Sequence, residues 1–458
     1  MKASRSRTHR KSRALPALRF EQQRLTSFAG LLLFQKLFAA LRLRERLHAC
    51  FAHLGVAPIF GHHVVVLALV VHLLLGYREL RDVRFYRDDP MVKRILGLRR
   101  LPDVATISRV LASVDARAVD RLRALCRKLC LDRLQTIGVA RITLDFDGSV
   151  LSTMRKAEGT AVGYNRKRRG ARSYFPLFCT IAQTGQILDV LHRPGNAHDS
   201  RGAGEFILDC LEAVRLALPG VQIEARLDAA FFSDQIVSIL AQSGVEFSIS
   251  APFDRLSELK ARVQNRKRWH PINADVAVFE ERWKPKAWAA LFRFIFIRQQ
   301  RHFADKGPVQ LDLFVPYETG HEFKVIVTNK TTTAASVIAF HHGRGSQEAV
   351  FADLKGDCHM AYVAVRRLHG NQTYLLAALL AHNLNRELQM ITRAPERSTT
   401  AKRAALWTFQ SLATFRRTFV QRAGRLTRPN GRLTLTMSAS DHVQRELLAL
   451  LDALPDAA

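Results

Sequence analysis

The chain has 458 residues, long enough for two or three domains with sizeable cores. A hydrophobic content of 48% excludes a disordered chain. Seventy Lys and Arg against forty Asp and Glu give a formal charge of +30, which points to a polyanionic partner, nucleic acid ahead of an acidic membrane surface.

Taken in order, residues 1–20 carry Lys2, Arg5, Arg7, Arg10, Lys11 and Arg13 and read as a flexible basic arm that touches phosphates, with no signal-peptide core directly after it. Residues 21–139 read as a helical DNA-binding region, because Leu33, Leu37 and Leu41, with Phe34 and Phe38, recur at helical spacing. The apolar run 64–75 is broken by His72 and is too short to span a bilayer, so it is expected as a buried helix. Pro102-Asp103 opens a further helix with Thr106, Ser108 and Arg109 near its start. That piece resembles the recognition helix of a helix-turn-helix, although ordinary packed helices begin the same way. Cys50, Cys126, Cys130, Cys179, Cys210 and Cys358 form no C-x-x-C pair and read as reduced thiols of a cytosolic protein.

From residue 140 the texture becomes α/β. A strand over 141–147 is followed by a loop with Arg166, Lys167, Arg168 and Arg169, which is expected to contact phosphates. Strands over 174–181 and 187–191 are joined by the hairpin turn Gln183-Thr184-Gly185-Gln186. A helix over 200–217, a strand over 221–227, a helix over 233–243 and a strand over 246–250 complete the first part of the core, 140–250. Three antiparallel strands and then alternating helix and strand is the order of a ribonuclease-H-like fold. Residues 251–335 read as a mostly β insertion with strands near 279–283, 289–298, 311–316 and 323–329. Helices near 334–340, 345–356 and 371–391 place the last part of the core at 336–392, and 393–458 read as a basic, helical C-terminal region.

Three acids stand out along this order. In Leu144-Asp145-Phe146-Asp147-Gly148-Ser149, the two aspartates share one face of a strand that ends in a turn. Neighbouring carboxylates repel, and a hard cation such as Mg²⁺ or Mn²⁺ relieves that repulsion. Asp147, at the open strand end, is placed ahead of Asp145 as the ligand, with Asp145 as a supporting partner. Asp228 ends the strand after the first core helix. Glu348 lies on a later helix with Arg344 four residues before it and Lys355 seven after, near one helical face. A salt-bridged surface is the plain alternative for that last set.

In this order and spacing the chain resembles DDE transposases of bacterial insertion sequences, of the group 1 DDE-domain type. It is closest to the cut-and-paste branch with a β insertion before the last acid and a Y-x2-R-x3-E-x6-K signature. Arg344, Glu348 and Lys355 match the R, E and K, whereas His341 stands at the tyrosine position. Arg193-Pro194-Gly195-Asn196-Ala197-His198-Asp199 also resembles a stretch between the family's first two acids, and the likeness covers roughly 140–390. The resemblance implies a ribonuclease-H-like core and two divalent ions, Mg²⁺ or Mn²⁺, held by Asp147, Asp228 and Glu348. It implies strand cleavage at element ends and strand transfer into target DNA by in-line displacement at phosphorus. It implies a homodimer on DNA, no membrane partner, and a bacterial cytoplasmic, nucleoid-associated protein. Arg344, Lys355 and His341 would then face the phosphate backbone. Trp283 and Trp288 in the insertion would either stack on an unpaired base or pack their own sheet. Two other readings share the acids: another ribonuclease-H-like nuclease or resolvase, and a non-catalytic DNA-binding protein derived from a transposase.

Overall fold

The computed structural model describes residues 15–456 apart from 22, 56–58, 164, 166–167, 198–200, 301–320 and 399–404. The strand expected at 311–316 and most of the basic arm therefore lie outside the described residues.

Helices over Leu31–Ala40, Leu43–Phe51, His62–Leu74, Pro90–Ile95, Val104–Ala112 and Ala116–Ile137 make up the N-terminal region. Their starts follow the sequence chemistry. Asp89, Asp103 and Asp115 each accept a hydrogen bond from a first-turn amide, and Pro90 follows Asp89 at the first helical position. Gly138, at φ +62°, ends the longest of these helices and turns the chain into the sheet.

Among the described residues the main sheet has nine strands. In chain order they are β1 Arg141–Gly148, β2 Leu177–Ile181, β3 Ile187–Leu191, β4 Gln222–Leu227, β5 Glu246–Ala251, β6 His270–Pro271, β7 Val276–Trp283, β8 Phe292–Gln300 and β9 His321–Thr328. Their spatial order is β6-β7-β8-β9-β5-β4-β1-β2-β3. β1 runs parallel to β4, and β4 parallel to β5; every other pairing is antiparallel. β1 is thus central and buried on both faces, which accounts for its near-continuous run of apolar and paired residues. The β insertion is not a separate sheet: β9 pairs with β5, and β8 and β7 extend the same ladder outward.

Helices Ala203–Ala217 and Asp234–Gln242 pack on one face, over a core that includes Leu144, Phe146, Phe206, Leu227 and Phe247. The helix Leu368–Thr392 is buried along nearly its whole length and joins the N-terminal helices into a second core. Ion pairs lock the two regions together. Arg133 pairs with Glu387 of the long helix, and Arg123 and Arg127 both pair with Asp189 of β3, whose side chain is fully buried. The C-terminal region is not purely helical as expected. It contains the hairpin Gly424–Thr427 and Thr434–Met437, turned by Pro429-Asn430-Gly431, before its last helix, Asp441–Ala453. Gly431 adopts φ +78°, which a turn at this position requires. Among the described residues no helix is long and apolar enough to cross a membrane.

Candidate functional site

The parallel register between β1 and β4 pairs Asp145 with Arg226 and Phe146 with Leu227. Asp147 and Asp228 stand one residue further on, each just beyond those last paired positions. Period-two alternation then puts Asp145 and Asp147 on the same face, as the sequence requires. Their surroundings differ sharply. Asp145 is wholly buried, and the Arg226 guanidinium donates to both of its oxygens, at 2.6 and 2.7 Å. Burial pushes the Asp145 carboxyl above the ordinary carboxylate range, against the pull of Arg226. Arg226 is itself buried, stacks over the Phe340 ring and donates to the Phe340 carbonyl at 3.0 Å. Asp145 is therefore committed to a structural ion pair.

Asp147 and Asp228 are partly exposed, and both face Arg344. One guanidinium nitrogen of Arg344 lies 2.9 Å from Asp147 Oδ2 and 3.7 Å from Asp228 Oδ2. The remaining Asp228 oxygen accepts from the Ala230 amide at 3.0 Å and caps the single turn Ala229–Phe231. Arg344 stands at the start of the helix Gly345–Gly356, which carries Glu348 in its first turn. That helix is fixed to β1 and β2 through Gln347, whose amide donates to the Asp145 carbonyl and to Thr180 Oγ1, both at 3.1 Å.

Asp228, Arg344 and Glu348 line one large open cavity of about 1110 Å³. Its other walls come from β5 and β9 and the turn after β5, with Phe253, Arg255, Phe323 and Lys324. The cavity thus joins the ends of the parallel strands to the insertion, at the carboxyl edge where α/β sheets place their clefts.

Three expected site residues make their contacts within the protein. His341 lines the cavity wall but is buried, and its two ring nitrogens are held by Ser248 Oγ at 2.9 Å and Ser250 Oγ at 2.8 Å. Both nitrogens are thereby engaged within the protein. Burial, with Arg344, His342 and Arg226 nearby, brings its pKa down to about 3, so the ring is neutral. Trp283 and Trp288 are buried: Trp283 packs on Phe294 and under Arg262, and Trp288 on Phe232. Of their two alternatives, the indoles take the sheet-packing one.

The other expected contacts are scattered. Lys355 is exposed on the glutamate helix, two turns beyond Glu348, and does not line the cavity. Arg168 and Arg169 are exposed in the loop before the strand Arg172–Tyr174, whereas Arg166 and Lys167 lie outside the described residues, as do His198 and Asp199. Thr106 and Ser108 are half-buried on the helix Val104–Ala112, and exposed Arg109 folds back on the Ala105 carbonyl and Thr106 Oγ1. Arg416, in the basic C-terminal run, is buried and donates to the carbonyls of Leu73, Leu74 and Asp357.

Sequence reasoning missed Arg226. Its signal was present: Arg226 precedes Asp228 by two residues, as Asp145 precedes Asp147, so the two dipeptide patterns mirror each other across adjacent strands.

The donor chemistry suits a hard dication, since two carboxylates on adjacent strand ends already converge on one positive group. Among the described residues, however, no three of His, Cys, Asp and Glu are grouped closely enough to hold an ion. Glu348 shares the cavity without joining the two aspartates.

A family profile described as transposase DDE domain group 1 matches residues 10–458. No curated protein matches the chain. Among solved structures, the piggyBac transposase synaptic complex with hairpin DNA aligns at 11% identity over 78% of this chain and 73% of that chain, with a TM-score of 0.39. The Mos1 transposase paired-end complex with the left transposon end aligns at 10% identity over 40% of this chain and 57% of that chain, with a TM-score of 0.18.

Proposed function

Because the chain belongs to the transposase DDE domain group 1 family, we propose that it is the transposase of a bacterial insertion sequence, cleaving element ends and joining 3′-hydroxyls to target DNA. The observation that carries this reading is the meeting of Asp147 and Asp228 at the ends of adjacent parallel strands, on one cation, beside a cavity that Glu348 also lines. The strand order β3-β2-β1-β4-β5 supports a ribonuclease-H-like core around those acids.

In this reading Asp147, Asp228 and Glu348 are the catalytic acids. Asp145 supports them by holding Arg226, which packs against the Phe340 segment leading to the glutamate helix. Asp147, Asp228 and Glu348 would hold the two divalent ions, which would supply activation of the attacking oxygen and stabilisation of the leaving one. The chain's own side chains position and neutralise. Arg344 approaches from the start of the glutamate helix, and Lys324 and Arg255 from the opposite wall, so a phosphate backbone crossing the cavity meets cations on both sides. The formal charge of +30 supports DNA as the partner, and a homodimer pairing two ends in the nucleoid-bearing cytoplasm completes the proposal.

The test is cleavage of a supercoiled plasmid carrying the element's flanking ends, in Mg²⁺, Mn²⁺ or EDTA. Metal-dependent nicking at the ends, lost in Asp147→Asn, Asp228→Asn and Glu348→Gln proteins that still bind DNA, is the expected result. End binding by the wild type without cleavage in either metal would instead assign the chain to transposase-derived binding proteins.

A further inference from the structure

Phe85, in the N-terminal helical region, leaves 63% of its surface open to solvent and does not line the cavity. A lone exposed phenylalanine needs no explanation. This one is braced. It ends the tight helical turn Leu80–Phe85, which Glu79 and Asp82 close by each accepting from the other's backbone amide. Behind it the rings of Tyr86, Tyr77 and Phe85 form a ladder from the core to solvent, with successive centroids 5.0 and 6.1 Å apart. Tyr86 is buried and its hydroxyl lies 2.6 Å from His72 Nδ1, so the inner end of the ladder is fixed.

The surroundings are basic. Arg81 and Arg84 stand three residues apart on a turn with three residues per revolution, so they share a row, and Arg87 follows; all three are exposed. The Arg84 guanidinium lies over the Phe85 ring, 4.8 Å from its centre. Residues 78–109 hold nine basic side chains against five acids. Those acids are already committed: Glu79 to Arg81, Asp88 to Lys93, and Asp82, Asp89 and Asp103 to helix starts. The turn also adjoins the helix Val104–Ala112. Leu80, Val83 and Tyr86 close over one small cavity with Leu101, Pro102 and Ile107. The Asp103 carboxyl is held below its ordinary range first by hydrogen bonds from Thr106 and then by the charges of Arg109 and Arg87, which sets Arg87 beside the same helix start.

A rigid apolar edge between arginines suits a duplex, whose phosphates take the cations and whose base steps admit the ring. Resting on the reading of the chain as a DNA-binding transposase, we propose that Phe85 is a wedge. It enters a base step from the minor groove while Arg84 and Arg87 hold the flanking phosphates, and the duplex bends towards its major groove. The ring supplies the kink and the arginines supply the hold, so the turn presents bent DNA beside the helix that carries Thr106 and Arg109.

The test is binding of the full chain to a short duplex carrying one element end, with a dye at each terminus. Anisotropy over a salt series reads affinity, and energy transfer between the dyes reads bending. Wild type is compared with Phe85→Ala, Phe85→Leu and Arg84→Gln; because these side chains are exposed, all should unfold at the wild-type temperature. Phe85→Ala should abolish the rise in energy transfer and weaken binding about tenfold with the salt slope unchanged, since the ring carries no charge. Phe85→Leu, still an apolar wedge, should keep most of the bend. Arg84→Gln should keep the bend and lower the magnitude of the salt slope by about one. Wild-type bending in Phe85→Ala would overturn the wedge, as would equal loss of bending in Phe85→Ala and Phe85→Leu. An unaltered salt slope in Arg84→Gln would overturn its hold on phosphate. A wild type that binds and cleaves the end without bending it would overturn the wedge alone, whereas one that binds no end duplex would overturn the transposase reading with it.

Discussion

Arg226 grips Asp145 through two hydrogen bonds between strands whose partners are 81 residues apart in the chain, and it does so one pleat below the partly exposed pair Asp147 and Asp228. Two aspartates separated by a single residue therefore have different duties. Asp145→Ala should destabilise the protein by about 3–5 kcal/mol, because it strands a buried guanidinium. Asp147→Ala, at a partly exposed position, should leave the unfolding midpoint within about 0.5 kcal/mol of wild type while lowering end cleavage by at least about 100-fold. Denaturant unfolding of the two variants, run beside the cleavage assay, checks both halves. A stable Asp145→Ala protein would contradict the assignment.

The order of elements from residue 140 was legible because period-two strands, turn residues and helical spacings are local signals. The hairpin around Gly185 and the helix Gly345–Gly356 fall where the pattern puts them. The pairing of Asp145 with Arg226 was not, since it depends on inter-strand register, which no local pattern reports. The same limit applies to Arg344: spacing places it on the face of Glu348, but only the approach of that helix to β1 and β4 shows which acids it meets. For Trp283 and Trp288 the sequence left base stacking beside packing on their own sheet; that they point into the core follows from the continuation of the sheet through β9.

Burial of the indoles gives a second expectation. Trp283→Ala should cost about 3–5 kcal/mol through the cavity left against Phe294. DNA affinity, measured on the folded fraction below the unfolding transition, should change less than about twofold, since the indole makes its contacts inside the sheet. Selective loss of DNA binding with unchanged stability would return the tryptophan to a base-stacking role.

His341 supplies a pH dependence with a definite sign. Its folded-state pKa of about 3 lies below the ordinary 6.5, chiefly because the ring is buried. Its contribution is complete above pH 6.5. It is lost as the pH falls towards 3, where the unfolded chain takes up a proton that the native ring refuses. The slope from this one group is at most about 1.4 kcal/mol per pH unit. His382, also held near 3, and His72 and His192, near 4, add slopes of the same sign. His341→Gln should flatten the fall in unfolding temperature between pH 6.5 and 4.5 without abolishing it, and an unchanged profile would show that the ring is not buried in its neutral form.

The net charge sets a salt response. DNA affinity should fall linearly on a logarithmic salt axis, with a slope near 0.9 per phosphate neutralised. Arg168→Ala and Arg169→Ala, both at exposed loop positions, should each reduce the magnitude of that slope by about one if the loop reaches the backbone. Fluorescence anisotropy over a salt series reads this directly, and an unaltered slope would place the loop away from DNA.

The nine-strand ladder has a mechanical meaning. Because β9 is hydrogen-bonded to β5 and the outer strands follow in register, the insertion is the far half of one stiff beam rather than a flap on a hinge. A load on that half passes through β5 and β4 to the strand ends that carry Asp147 and Asp228.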